Sequence, residues 1–417
     1  MTLLVLHRNP LQPFPYPAWV AEHGGGVVLL AARDRIELFG EQAPVGDGDY
    51  RHIELLDDFD DEDLVLGRAL ELAARFEVTH VLGFHEGDVD RAALLRQKLG
   101  LVGQRPDDVL PFRDKVLMKA LLGTAGVEVA PHTVPHDAEE FRAFAGAHGL
   151  PLVLKERSGF NAVNLVVIRT EEELERQLAA DFGPDRTPRE DLLLEAYVPG
   201  RMCHVDGLVV DGRTVAAWPS QYQYDLSSYQ EDPGARIDLT LAPDDPLTDR
   251  LLALTGTALG ALRGSQDYAF HAEVFHTPDD RLVFCEVAAR PGGARIREVF
   301  QAVFGFNLAE YTARAHLGLP LPVLDGLAEG ERLGPKQMAG QMLMMKRPGE
   351  VRRVPQPPDE PWTEYCGIFV RPGQVMRGAT GSSDFLASAV LSAPTRELCE
   401  QRLRALGARF EAEFEIL

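Results

Sequence analysis

Lysine is scarce in this chain of 417 residues. Only six occur, Lys98, Lys115, Lys119, Lys155, Lys336 and Lys346, and the other 36 of the 42 basic residues are arginine. A coding bias toward arginine explains the ratio. It also makes each lysine worth placing, because a compact ammonium and a planar guanidinium act differently at a site. Cysteine is scarcer still. Cys203, Cys285, Cys366 and Cys399 lie far apart and form no C-x-x-C pair. That spacing argues against a zinc site or a disulfide framework and fits a reducing compartment. Long hydrophobic runs are missing too. No stretch reaches 18 apolar residues, and the run before His7 and Arg8 is too short for a signal-peptide core. The expectation is a soluble, cytoplasmic protein with no membrane partner. Positive charge is in deficit, with 42 basic against 64 acidic residues and a net charge of −22. This excludes a nucleic-acid backbone as polymer partner.

Apolar residues make up 45% and charged residues 25%, so the chain has the means to build packed cores. At roughly 150 residues per domain the length suits about three domains. The first hundred residues read as a parallel α/β unit. Apolar runs at Leu3–Leu6, Val27–Ala31 and Val78–Gly83 alternate with helical patterns at Asp63–Arg75 and Val89–Leu99. Gly24-Gly25-Gly26 is no G-x-G-x-x-G fingerprint and reads as a turn.

From about residue 112 the order changes to α+β. Asp137 with Glu140, and Thr170 with Glu173, resemble capping boxes for two helices. Leu152–Lys155, Val163–Ile168 and Leu192–Val198 read as strands. After Pro322 come strand patterns at Gln341–Lys346, Gly367–Arg371 and Ala387–Leu391. An amphipathic helix follows at Glu397–Phe414, with Leu398, Leu403, Leu406, Phe410 and Phe414 on one face. The patch Pro355–Pro361 reads as a loop.

The hairpin Tyr268–Phe275 and Leu282–Ala288 is the most informative segment. If Thr277 pairs with Leu282, Glu273 lies opposite Glu286 and both point to one face. Facing carboxylates on a ladder repel, so a cation belongs between them. A divalent metal with oxygen ligands fits. An arginine would serve as well, and a register slip of one residue would separate the pair.

Other residues carry weaker signals. Lys155 ends a strand just before the small-residue loop Ser158–Asn164. An ammonium beside loop amides suits a phosphate chain, although a strand-end lysine snorkelling to solvent gives the same pattern. No G-x-x-x-x-G-K-[ST] motif is present. Arg113-Asp114-Lys115 precedes a helix that Asp114 can cap. Glu195 closes a strand before a Pro-Gly turn, where it can accept from an adenine or a ribose or simply sit in solvent. Arg290-Pro291-Gly292-Gly293 offers a bidentate fork beside two glycines that permit close backbone approach.

In this order and spacing the pieces resemble the ATP-grasp superfamily over about residues 80 to 322. The branch they are most similar to is the carboxylate–amine ligases, in particular the dipeptide-forming L-amino-acid ligases. The resemblance implies a parallel α/β pre-ATP-grasp domain at 1–110, ATP-grasp subdomains at 111–195 and 196–322, and a small α+β subdomain at 323–417. It implies ATP and Mg²⁺, with Mn²⁺ as a substitute, and small acid and amine substrates. Lys115 and Lys155 would contact phosphates, and Ser158 and Asn161 would belong to the loop that closes over them. Glu195 with Tyr197 and Val198 would form the adenine hinge. Glu273 and Glu286 would hold the metal, and Lys155 and Arg290 would be catalytic. Two departures stand out. Met202 replaces a ribose-binding glutamate, with His204 or Asp206 as substitutes, and Ala288 replaces an asparagine near the metal. The aromatic stretch Trp218–Tyr229 would line a substrate pocket. A biotin-dependent type of carboxylase and a non-catalytic ATP-binding protein are the rival readings. A homodimer is the default expectation for an oligomer.

Overall fold

A computed structural model describes residues 2–37, 40–183, 189–224, 234–263, 267–379, 381 and 383–417. It contains one parallel sheet and three antiparallel ones. The parallel sheet has the order His52–Leu56, Gly26–Ala32, Thr2–His7, His80–Gly83. Leu4, Leu6, Val28 and Leu30 face the helices Glu62–Phe76 and Glu86–Leu99. Leu3, Val5, Leu29 and Ala31 face an aromatic cluster of Phe14, Tyr16, Trp19 and Phe84, and beyond it the helix Leu308–His316. Both faces are covered, which is why these strands read as unbroken apolar runs. The strand His52–Leu56 escaped the sequence reading because its residues are only half-buried and mix His and Glu with Leu.

The second sheet orders His132–Thr133, Leu192–Ala196, Leu152–Glu156 and Val166–Ile168. Two helices, Ala138–His148 and Glu171–Phe182, cover one face through Phe141, Leu174 and Leu178. The Thr170–Glu173 capping box forms as expected. At the other helix Asp137 accepts from the backbone of Glu139 and Glu140, while Glu140 reaches past it to His136 N–H.

The largest sheet has eight antiparallel strands. Their order is Leu282–Ala288, Tyr268–His276, Arg201–Val210, Arg213–Tyr222, Arg236–Thr240, Met338–Met345, Phe385–Ala393 and Thr363–Ile368. The helix Pro246–Leu262 packs beneath Val205, Phe270 and Ala272. The helix Ile296–Phe304 lays Val299, Phe300 and Val303 against Leu208, Ala216 and Val390. The helix Arg396–Glu413 buries Cys399, Leu403, Leu406 and Phe410. Leu398 is a correction to the expected stripe. It is 36% exposed, because the buried face runs through Cys399 one position on. The strand expected at Gly367–Arg371 lies earlier, at Thr363–Ile368. A three-stranded sheet of Val375–Met376, Gly349–Arg353 and Glu415–Ile416 closes the C-terminal part. Among the described residues no helix is long and apolar enough to cross a membrane.

Candidate active site

A cavity of about 1420 Å³ opens where the three larger sheets meet. It is larger than a pocket for one small ligand, typically ~300–1,000 Å³. The hairpin Tyr268–Ala288 supplies one wall, and Glu273 does face Glu286 across the ladder. The route to that register differs from the expectation. His276, not Thr277, pairs with Leu282, while Thr277 N–H donates to Arg281 O at 3.0 Å. The ladder then slips by one after Val274–Phe284, leaving Cys285 without a partner and restoring the Glu273–Glu286 pairing. A bulge of this kind re-aims side chains beside a site.

The charge between the two carboxylates is partly protein. Glu286 Oε2 lies 3.6 Å from Lys115 Nζ and 3.7 Å from Lys155 Nζ. Burial pushes the Glu286 pKa up, but Lys115 and Lys155 hold it below the ordinary value. Glu273 Oε1 lies 3.6 Å from His271 Nε2. Both residues line the cavity. Oxygen donors of this kind suit a hard divalent cation that retains waters.

Below them lies a buried ion triad. Glu195 takes Lys155 Nζ at 2.9 Å on one oxygen and Lys119 Nζ at 2.7 Å on the other. Lys119 also donates to Cys285 O at 3.1 Å, the carbonyl of the bulge residue. Burial opposes ionisation of Glu195, yet Lys155 and Lys119 bring its pKa down to about 2. Burial lowers the Lys155 pKa, and Glu195 together with Cys285 and Glu286 more than offsets it, so the net shift is upward. The Glu195 carboxylate is therefore occupied by two lysines rather than presented to a ribose. The neighbouring Tyr197 and Val198 do line the cavity. Counting Lys115, three of the six lysines converge here against Glu195 and Glu286. Lys119 is one that the sequence reading did not single out.

The loop after Lys155 is held from below. Lys115 Nζ donates to Gly159 O at 2.6 Å, and Arg113 donates to Ser158 O at 2.9 Å. Asn161, Ala162 and Asn164 all have positive φ, near 55°, in a loop whose lone glycine is Gly159. Asparagine tolerates that conformation and alanine is strained in it. Asn161 lines the cavity, whereas Ser158 is exposed and does not.

Arg290 donates from Nε to Glu86 and from Nη1 to Pro291 O at 2.9 Å. Glu86 also accepts from Arg113 at 2.6 Å, and Arg113 holds Asp90 at 2.9 Å. Burial opposes the charge on Glu86, but Arg290 and Arg113 hold its pKa at about 2. Glu86 thus joins the N-terminal unit, the loop root and Arg290.

His204 and Asp206 do not reach the cavity. His204 is 1% exposed, with Nδ1 at 2.5 Å from Asp206 and Nε2 at 2.9 Å from Asp238. Neither replaces a ribose contact, because the strand Arg201–Val210 runs mid-sheet and neighbouring strands enclose both side chains. Asp206 also takes His271 Nδ1 at 2.9 Å, and Asp238 takes Gln341 at 2.8 Å. Burial works against the charged His204, and Asp238 and Asp206 raise its pKa well above the ordinary value. The three groups His204, Asp206 and His271 are close enough to bracket a metal. Their facing atoms already hydrogen-bond one another, which makes them a packed polar network. A Cβ on Gly292 would fall 2.7 Å from Asp206 Oδ1, so only glycine fits that turn. Of the aromatic stretch, Tyr222, Gln223 and Tyr224 line the cavity and Trp218 to Gln221 do not, while residues 225–229 lie outside the described residues.

No family model matches the chain. The chain is 24% identical over 262 residues to the L-arginine-specific L-amino acid ligase of Bacillus subtilis, a match covering 62% of this chain and 62% of that protein. The L-amino acid ligase of Bacillus licheniformis superposes with a TM-score of 0.75 at 19% identity, over 100% of this chain and 98% of that one.

The chain has the ATP-grasp fold.

The resemblance read from the sequence is thereby borne out, as is the fold class. The ATP-grasp fold alone does not choose a reaction. The biotin carboxylase domain of Hydrogenobacter thermophilus 2-oxoglutarate carboxylase, solved with MgADP and bicarbonate, superposes with a TM-score of 0.70 at 18% identity, over 100% of this chain and 90% of that one. Within this fold one cavity gathers Lys115, Lys155, Asn161, Glu195, Tyr197, Val198, Glu273, Glu286 and Arg290, and leaves out Ser158 and His204.

Proposed function

We propose that the protein is an ATP-dependent carboxylate–amine ligase that forms an amide bond between two small molecules, at least one an amino acid. One observation carries the reading. Three lysines, the Glu273–Glu286 pair and Arg290 converge on one cavity large enough for a nucleotide and two further substrates. The likeness to L-amino-acid ligases supports it.

A carboxylate is a poor electrophile with a poor leaving group. In the proposed first step its oxygen attacks the γ-phosphorus of ATP, the bond to the β-γ bridging oxygen breaks, and ADP leaves. In the second step the amine lone pair attacks the acyl carbon, and the carbon–oxygen bond to phosphate breaks. Phosphate departs and the amine's proton passes to solvent. Lys115 and Lys155 would bind phosphate oxygens, with Lys119 and Glu195 fixing Lys155 in place. Tyr197 and Val198 would meet the adenine. Arg290 would present its fork to the acyl phosphate and to the charge on the tetrahedral carbon. Glu273 and Glu286 would hold Mg²⁺ or Mn²⁺, which supplies neutralising charge to the phosphates during transfer. The loop with Asn161 would keep water from the acyl phosphate. The test is phosphate release from ATP and Mg²⁺ over a panel of amino acids, with product mass. An acid- and amine-dependent amide supports the proposal, and no release with any pair sinks it.

The carboxylase likeness favours a second reading, which bicarbonate-dependent phosphate release without an amine would support. The loop Arg157–Asn164 speaks against it, because it is short and holds a single glycine.

A further inference from the structure

The parallel sheet has a topological switch. Its order places His52–Leu56 and Gly26–Ala32 on one side of Thr2–His7, and His80–Gly83 on the other. In open α/β sheets the crevice beyond the strand ends at such a switch holds ligands. Arg8 follows one of the two strands at the switch, and His85 follows the other by two residues. Both line the cavity.

His85 is built to be a neutral donor. It is the N-cap of the helix Glu86–Leu99, and its Nδ1 accepts from Gly87 N–H at 3.2 Å. With Nδ1 accepting, the neutral ring carries its proton on Nε2. No hydrogen bond among the described residues uses that atom. Cation formation is opposed from several sides. Burial is the largest cause, followed by Arg8 and Arg290, with Arg35 adding to them and Glu86 opposing, and the pKa is brought down to about 3. An imidazole kept neutral at a helix N-terminus can polarise a carbonyl without carrying a charge. Arg290 ends on Glu86, the next residue, so fork and imidazole flank the same region. The ring of Phe160, from the loop after Lys155, meets the His85 ring edge-on at 5.2 Å and 88°.

We propose that His85 donates its Nε2–H to the carboxylate of the acid substrate, and then to the oxyanion formed when the amine adds to the acyl carbon. This rests on the ligase reading. Arg290 supplies charge at this end of the cavity, with Arg8 beside it tied to Asp88 and Asp60, and His85 supplies direction. The Phe160 ring packs against the imidazole and restricts its movement. On the ligase reading Lys155 and Glu286 would hold the phosphates and the magnesium, so nucleotide binding would not require the imidazole.

The experiment compares wild type with His85→Ala and His85→Asn in acid-dependent phosphate release, together with calorimetric binding of ATP in the absence of amine. Asparagine is a good N-cap and keeps a side-chain N–H, so it controls for folding. For His85→Ala, kcat/KM for the acid should fall by about tenfold to a hundredfold, with ATP affinity within about threefold of wild type. His85→Asn should recover part of the loss. Between about pH 6 and 8 the three profiles should share one shape, because the His85 imidazole stays neutral there. Wild-type kcat/KM for the acid in His85→Ala overturns the proposal and leaves the ligase reading standing. No acid-stimulated release by the wild type overturns both. Equal loss of ATP affinity in both variants overturns it as well, since the role would then be structural.

Discussion

Lys155 Nζ lies 2.9 Å from Glu195 Oε2, and the other oxygen of that carboxylate lies 2.7 Å from Lys119 Nζ. One buried anion thus locks two buried cations at the floor of the cavity. Glu195→Gln would leave both ammonium groups beside a neutral amide. The expected cost is about 3–5 kcal/mol, read as a lowered denaturation midpoint, because the charges lose their partner but not their burial. Saturating ATP should restore part of that stability in the variant, since phosphate oxygens take the place of the carboxylate.

The acid limb of stability follows from the same geometry. Glu195 and Glu86 both have pKa values brought from 4.5 to about 2 by buried cations. A carboxyl with a depressed folded pKa contributes stability above its unfolded value and loses it as pH falls toward the folded one. Each contributes on the order of 3 kcal/mol on this linkage. These two carboxylates should add no slope to the thermal midpoint from pH 7 to 5 and should lower it between about pH 4.5 and 2. In Glu86→Gln the drop should be shallower, though from a lower plateau.

At Glu273, stability and activity should separate. Glu273→Gln removes one of two like charges that face each other on a ladder, so its folding stability should stay within about 1 kcal/mol of wild type, whereas Glu286→Gln also takes a carboxylate away from Lys115 and Lys155 and should lose stability. In both, turnover should fall at least about a hundredfold, and the Mg²⁺ needed for half-maximal rate should rise. Binding of Mn²⁺ followed by electron paramagnetic resonance gives the metal affinity without turnover. Unchanged metal dependence in both variants would refute the assignment.

Gly292→Ala tests the contact between the turn and the buried network. The added Cβ would meet Asp206 Oδ1 and Ile296 at 2.7 Å, so something must move. A loss of about 1–3 kcal/mol is expected from overpacking, with a fall in kcat because the same turn carries Arg290. Gly293→Ala has open space at the same turn and should leave both quantities near wild type.

The sequence spoke clearly where one element carries the signal. Alternating side chains placed Glu273 and Glu286 on one face, and apolar runs marked the buried parallel strands. Even there two local departures cancelled, since the hairpin end is offset by one and the bulge at Cys285 offsets it back. What stayed hidden depends on chain-distant partners. Glu86, His85 and Lys119 sit in ordinary helical sequence, and their roles arise from Arg290, 204 residues on from Glu86, and from Cys285, 166 residues on from Lys119. His204 misled for the opposite reason. A histidine two residues before an aspartate resembles a ligand pair, but Asp238 from a strand two places away in the sheet satisfies the other ring nitrogen.

The most direct test of the account follows the oxygen. An acid substrate labelled with ¹⁸O in its carboxylate is turned over with ATP, Mg²⁺ and an amine, and the phosphate is examined by mass spectrometry or ³¹P resonance. Attack of the carboxylate on the γ-phosphorus predicts one ¹⁸O atom in each phosphate released with amide formation. Amide formation with unlabelled phosphate would contradict it.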